Sequence, residues 1–124
     1  MTANFGDAAK VAEEYVRAWL RGDVETAMGF VADDVVCDAP NGRLEGAEAY
    51  RLFLEPFSTS LAQSELVDLL ADGERAVTVY VVETPFAKDF RGMEYLVVRD
   101  GKIAEAVSVF DLSPAIKAGF APQG

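Results

Sequence analysis

The sequence predicts an α+β fold in which three N-terminal helices and one short strand precede a curved, mostly antiparallel sheet. Three observations carry that prediction. Apolar residues recur at helical spacing in the first half of the chain and alternate at strand spacing in the second. Asp-Gly interrupts the alternation at Asp72-Gly73 and again at Asp100-Gly101, the strongest short-range signal of a hairpin. In the two middle strands both alternating sets are largely apolar, so each sheet face needs a cover, helices on one side and a second subunit on the other.

In the first helix, Ala8, Val11, Ala12, Tyr15, Val16 and Trp19 form one stripe, and Lys10, Glu13, Glu14, Arg17 and Arg21 the opposite one. Asp7 is placed to cap its start and Gly22 to stop its end. Asp23 caps a second helix expected to run through about Ala32, with Asp33-Asp34 marking its end. Val35 to Asp38 reads as a short strand, and Ala39-Pro40-Asn41-Gly42 as the turn that closes it. A third helix starts near Ala47 with Tyr50, Phe53, Leu54 and Phe57 near one face, and Pro56 is expected to kink or end it. Strands follow at about Glu65–Ala71, Arg75–Thr84, Phe90–Arg99 and Lys102–Asp111, a meander. From Leu112 onward Ser113-Pro114 starts one or two helical turns, and Gly119, Pro122 and Gly124 suggest a frayed tail.

With 124 residues, 51% of them hydrophobic, the chain fits one domain with a real core. Eleven Lys and Arg against 21 Asp and Glu give a formal charge of -10, which repels nucleic-acid backbones and anionic membranes. No apolar stretch is long enough for a membrane span and the N-terminus has no signal-peptide pattern, so the cytoplasm is the expected location. Cys37 is the only cysteine and histidine is absent, which removes Ser-His and Cys-His dyads, thiolate clusters and His-ligated zinc. Any acid or base must be a carboxyl, Tyr, Lys or the thiol.

Carboxyls inside apolar runs are the candidate chemistry, because a buried carboxylate is costly unless paired, hydrogen-bonded or neutralised. Asp38 ends Val35-Val36-Cys37-Asp38, Glu94 lies within Met93-Glu94-Tyr95-Leu96-Val97-Val98, and Asp111 ends Val107-Ser108-Val109-Phe110-Asp111. Asp38 reads equally as a base or as a cap of the Pro40 turn, and Asp111 as a site acid or a cap of the last helix. Glu94 shares a strand face with Phe90, Leu96 and Val98; its alternative is an ion pair with Arg51, Arg75 or Arg91. Tyr15, Trp19, Tyr80 and Tyr95 also fit simple core packing.

Gly22-Asp23-Val24-Glu25, Phe30-Val31-Ala32-Asp33-Asp34-Val35-Val36, Pro40-Asn41-Gly42 through Gly46, and Asp100-Gly101-Lys102-Ile103 to Phe110-Asp111 together resemble the cone-shaped NTF2-like (cystatin-like) superfamily. That superfamily includes ketosteroid isomerases, SnoaL-like polyketide cyclases, limonene epoxide hydrolases and non-catalytic binding or assembly modules. The resemblance to the isomerases implies Tyr15 as an oxyanion donor, Asp38 as the base and Glu94 as a protonated acid, the arrangement for which that enzyme is a standard case of pKa tuning. Asp38 departs from the pattern, since Ala39 separates it from Pro40 and a one-residue slip turns a strand side chain to the other face. Asp111 looks like an acid shared by the hydrolases and cyclases. The hydrolases' middle-strand Arg and Asp are replaced by Thr78, Val79, Tyr80, Val81 and Val82, and the cyclases' His has no counterpart.

The implied function is proton transfer alpha to the carbonyl of a hydrophobic ketone, polyketide or steroid-like molecule, with Tyr15, Asp38, Glu94 and Asp111 as catalytic candidates. Trp19, Phe53, Tyr80 and Val109 are the candidate pocket walls. No metal or organic cofactor is required, and a homodimer through the outer sheet face is expected. A non-catalytic ligand-binding or assembly module is the alternative, and an epoxide or lactone hydrolase a third reading. Tyr15, Asp38 and Asp111 are expected around one common pocket.

Overall fold

The amphipathic stripe of the first helix becomes α1 (Asn4–Leu20) in the computed structural model, which describes residues 4–119. Gly22 ends it as expected: at φ 83° it lets its own N–H reach Trp19 O at 3.1 Å and the Asp23 N–H reach Ala18 O at 2.9 Å. Helix α1 begins three residues before the expected Asp7 cap. Asp23 caps α2 (Val24–Met28), its carboxylate accepting the Thr26 N–H at 3.1 Å.

The second helix is shorter than expected because the chain that follows finds better partners in the sheet. Ile103 N–H bonds to Phe30 O at 2.7 Å and Val31 pairs with Ile103, so β1 runs Val31–Ala39 and absorbs Asp33-Asp34 in an irregularity before Val36. The turn at Pro40-Asn41 does not simply end that strand; it folds it back into β2 (Gly42–Glu45). Helix α3 (Ala47–Thr59) passes through Pro56 without ending there. Its last turn is tied by Thr59 Oγ1 to Glu55 O at 2.8 Å, and Ser58 Oγ donates to Trp19 O at 2.5 Å, fastening α3 to the end of α1.

The remaining strands are β3 (Gln63–Asp72), β4 (Arg75–Thr84), β5 (Ala87–Arg99) and β6 (Lys102–Phe110), followed by α4 (Ser113–Lys117). The sheet order is β2-β1-β6-β5-β4-β3, antiparallel throughout except for the parallel pair β1 and β6. Asp100 (φ 53°) and Gly101 (φ 76°) both adopt the left-handed conformation a tight hairpin asks for. At the other hairpin the turn is centred one residue later, on Gly73-Glu74, because Asp72 pairs with Arg75. A third tight turn, Pro85-Phe86, joins β4 to β5 and is held by Thr84 Oγ1, which accepts the Ala87 N–H at 3.0 Å.

The curved sheet lays its concave face on α1 and α3, with Tyr15, Val16, Trp19, Tyr50, Leu96 and Ile103 among the sealed core side chains. Among the described residues no helix is long and apolar enough to cross a membrane. The expected fraying beyond Gly119 lies outside the described residues.

Candidate functional site

Alternation along β5 turns Phe90, Gly92, Glu94, Leu96 and Val98 inward. Glu94 is 3% exposed, a carboxyl in the middle of the concave face. Across the ladder stand Thr78 on β4 and Ser108 on β6, and Cys37 Sγ lies 3.9 Å from Ser108 Oγ. A single polar row thus crosses an otherwise apolar wall, with Glu94 at its centre.

The helices bring donors to that carboxyl. Trp19 Nε1 donates to Oε1 at 3.3 Å, Tyr50 Oη donates to Oε2 at 3.2 Å, and Tyr15 Oη is 3.5 Å from the same oxygen. The two phenols also hydrogen-bond each other. Burial raises the Glu94 carboxyl to about 7, and the bonds from Tyr50, Trp19, Tyr15 and Ser108 offset only part of that rise. Burial, reinforced by the Glu94 charge, pushes Tyr15 and Tyr50 well above the ordinary phenol value, so both remain neutral donors. The ion pair considered for Glu94 does not form with Arg51, whose guanidinium is engaged by Glu25 and Glu55.

Glu94 borders a partly open cavity of about 300 Å³. Its walls are aromatic: Tyr80 meets Trp19 edge-on at 4.9 Å, Trp19 meets Phe57 at 5.6 Å, and Phe90 contacts Phe57, Phe86 and Phe110 at 5.9, 5.5 and 5.5 Å. Glu94 is the only Asp, Glu, Lys or Arg among the lining residues, while Ser108, Asn41 and Ser60 add neutral polar groups. A cavity of this size, mostly apolar with a few convergent polar groups, has the make-up of a small-molecule site. Among the described residues no group of three or more potential ligands clusters to hold a metal ion.

Trp19, Phe53, Tyr80 and Glu94 line the cavity, whereas Asp38, Asp111 and Val109 do not. Val35 and Cys37 point inward on β1, so Asp38 points outward, where its Oδ1 lies 3.4 Å from Arg43 Nη1 on β2. The β1 irregularity lies before Val36, too early to turn Asp38 over. Asp111 stands one residue before Leu112, the N-cap of α4, and accepts the Ser113 N–H at 3.0 Å, a bond that holds its carboxyl below the usual range. Val109 is 55% exposed on the outer face because Ser108 and Phe110 take the inward phase of β6. Tyr15 is sealed behind Glu94 and does not line the cavity. The expected meeting of Tyr15, Asp38 and Asp111 around one pocket does not occur. Tyr50 and Ser108 are the partners that the sequence reading passed over.

The SnoaL-like domain family matches residues 12–106. A crystal structure from Kribbella flavida DSM 17836 shares 39% identity over 91% of this chain and 93% of that one, with a TM-score of 0.87. A candidate ketosteroid isomerase from the same organism shares 21% identity, covering 87% of this chain and 80% of that one, with a TM-score of 0.76. An LEH-like epoxide hydrolase from M. tuberculosis shares 19% identity over 93% and 90%, with a TM-score of 0.73. At those lower identities the likeness speaks to the fold alone. No functionally curated protein matches the chain. With the family match spanning most of its elements, the chain belongs to the SnoaL-like domain family, and its helices laid on an unclosed curved sheet give it the NTF2-like fold.

Proposed function

We propose that the protein binds a hydrophobic carbonyl compound in its aromatic cavity and transfers a proton alpha to the carbonyl through Glu94. One observation carries this reading: the only carboxyl among the described residues that line the cavity is buried, ringed by donors and poised at about 7, where a base is both available and strong enough to act. Ionised Glu94 removes the proton, the C–H electron pair moves into the carbonyl to form an enolate, and Glu94 is left protonated. Return of that proton to another carbon completes an isomerisation; attack of the enolate carbon on a second carbonyl of the same molecule completes a cyclisation. Tyr15 and Tyr50 hold the Glu94 carboxyl from behind the cavity wall, and Trp19 both holds it and forms part of that wall. Asp38 and Asp111 take no part.

Methyl naphthyl ketone, flat and apolar with one enolisable methyl, is a suitable probe in deuterium oxide. Wild-type protein is expected to speed deuterium incorporation into the acetyl methyl, and Glu94→Gln to reduce the rate to that of buffer. Binding without exchange in the wild type would overturn proton transfer. It would favour the second reading, a non-catalytic ligand-binding module, which draws its support from the single carboxyl among the described lining residues of a cavity that Asp38 and Asp111 do not reach.

Leu70, Met93, Val107 and Val109 lie exposed on the outer sheet face, and a second copy of the chain is the proposed cover for that apolar surface.

A further inference from the structure

An enolate needs a neutral donor at its oxygen, and most polar groups near Glu94 are already committed. Tyr15 and Tyr50 bond Glu94 and each other, Trp19 bonds Glu94, and Ser108 bonds Glu94 and lies beside Cys37. Asn41 sits at the exposed turn between β1 and β2. Tyr80 is different. It lines the cavity, and its hydroxyl has no hydrogen-bond partner among the described residues. Thr78 Oγ1 is the one side-chain polar atom there that is both sealed and unpartnered, so the Tyr80 hydroxyl keeps an accessible face.

Its position follows from the strand register. Tyr80 pairs with Gly92 and Thr78 with Glu94, which sets Tyr80 diagonal to Glu94 on the same concave face, a spacing long side chains can span. The ring lies over Gly92 itself. A Cβ there would stand 2.5 Å from Tyr80 Cζ and 2.9 Å from Cε1, closer than such atoms ever approach. The absent side chain thus leaves room for the hydroxyl end of the ring against Gly92, while Trp19 meets the ring in a T-shaped contact at 4.9 Å. Burial and the Glu94 charge both push the Tyr80 phenol up, keeping its proton in place.

We propose that Tyr80 Oη is the hydrogen-bond donor to the ligand's carbonyl oxygen and that Gly92 is the positioning residue that makes room for it. This rests on the carbonyl ligand proposed above, but not on turnover. With the oxygen on Tyr80, the alpha carbon one bond removed from the carbonyl is directed towards Glu94, so the two residues divide donor and base between adjacent strands.

The test compares two shape-matched probes at about pH 9, above the value of about 7 for Glu94, so that an ionised Glu94 cannot donate. Methyl naphthyl ketone accepts a hydrogen bond; isopropenylnaphthalene, with CH₂ in place of the oxygen, does not. Calorimetric affinities in wild type should favour the ketone by about three- to tenfold, the range for one neutral hydrogen bond. Tyr80→Phe should bring the ratio to one or below, because the buried ketone oxygen is then left without a donor. Because both ligands are compared in the same variant, altered packing affects them alike. Gly92→Ala should lower the ratio as well and weaken both probes, since the displaced ring enters the cavity. A Tyr80→Phe ratio equal to wild type overturns the donor assignment, even where deuterium exchange persists. Lost preference in Tyr80→Phe with no exchange in wild type upholds the donor and overturns the proton transfer alone. Unchanged affinities and ratio in Gly92→Ala overturn the positioning role.

Discussion

Replacing Glu94 with Gln should stabilise the protein increasingly as pH rises. The folded carboxyl titrates at about 7 against a reference of 4.5. Between those values the folded chain keeps a proton the unfolded chain has released, so wild-type stability falls as pH rises. The contribution is fully present below pH 4.5 and lost by the time pH has passed 7. At roughly 1.4 kcal/mol for each pH unit, the window amounts to about 3 kcal/mol. Gln has nearly the same shape and never ionises. Its amide keeps one acceptor oxygen, so the NH₂ group faces either Trp19 Nε1 or the two phenols, which costs a fixed amount at every pH and leaves the slope untouched. Urea unfolding of both proteins at half-unit steps from about pH 4 to 8.5 gives the difference curve directly. Subtraction removes the opposite contributions of Asp23 and Asp111, whose carboxyls are held low by bonds to Thr26 and Ser113. A difference curve that is flat, or that falls with pH, would refute the reasoning.

Tyr50→Phe removes a donor that favours ionised Glu94, so the Glu94 midpoint should move further above 7, as read by carboxyl NMR. Asp38→Asn should leave deuterium exchange unchanged and cost under about 1 kcal/mol in denaturant melts, because its pairing with Arg43 is exposed. Sedimentation at micromolar concentration should give about twice the 13.4 kDa chain mass, and Val109→Lys with Met93→Lys on the outer face should return the monomer mass. A wild-type species at the chain mass would remove the dimer from the account.

Much of this fold was legible because local signals agreed with the global arrangement. Asp100-Gly101 fixed a hairpin, the stripe through Tyr15 and Trp19 fixed which side of α1 faces the sheet, and alternation around Glu94 placed a carboxyl in the core. The misreadings have physical causes of their own. Counting back from the Asp100-Gly101 turn pairs Glu94 with Val107, but an irregularity between Val97 and Val98 shifts the register and brings Ser108 opposite instead. A bulge carries no strong sequence mark, so strict alternation leaves Ser108 on the outer face and turns Val109 inward. Val31 and Ala32 read as the end of a helix, with Asp33-Asp34 as its stop, because the pairing of Val31 with Ile103 on β6 is a long-range contact that local propensity does not report. The Ala39 insertion before Pro40 did carry its meaning: one residue of phase puts Asp38 on the far side of the sheet from Glu94.

The central claim is that Glu94 moves the proton, and the pH profile of deuterium exchange into methyl naphthyl ketone tests it most directly. The account predicts a rate that rises with pH, reaches half its maximum near the Glu94 value of about 7, levels off above it and is absent in Glu94→Gln. A rate proportional to hydroxide across the whole range, the same in wild type and Glu94→Gln, would contradict it.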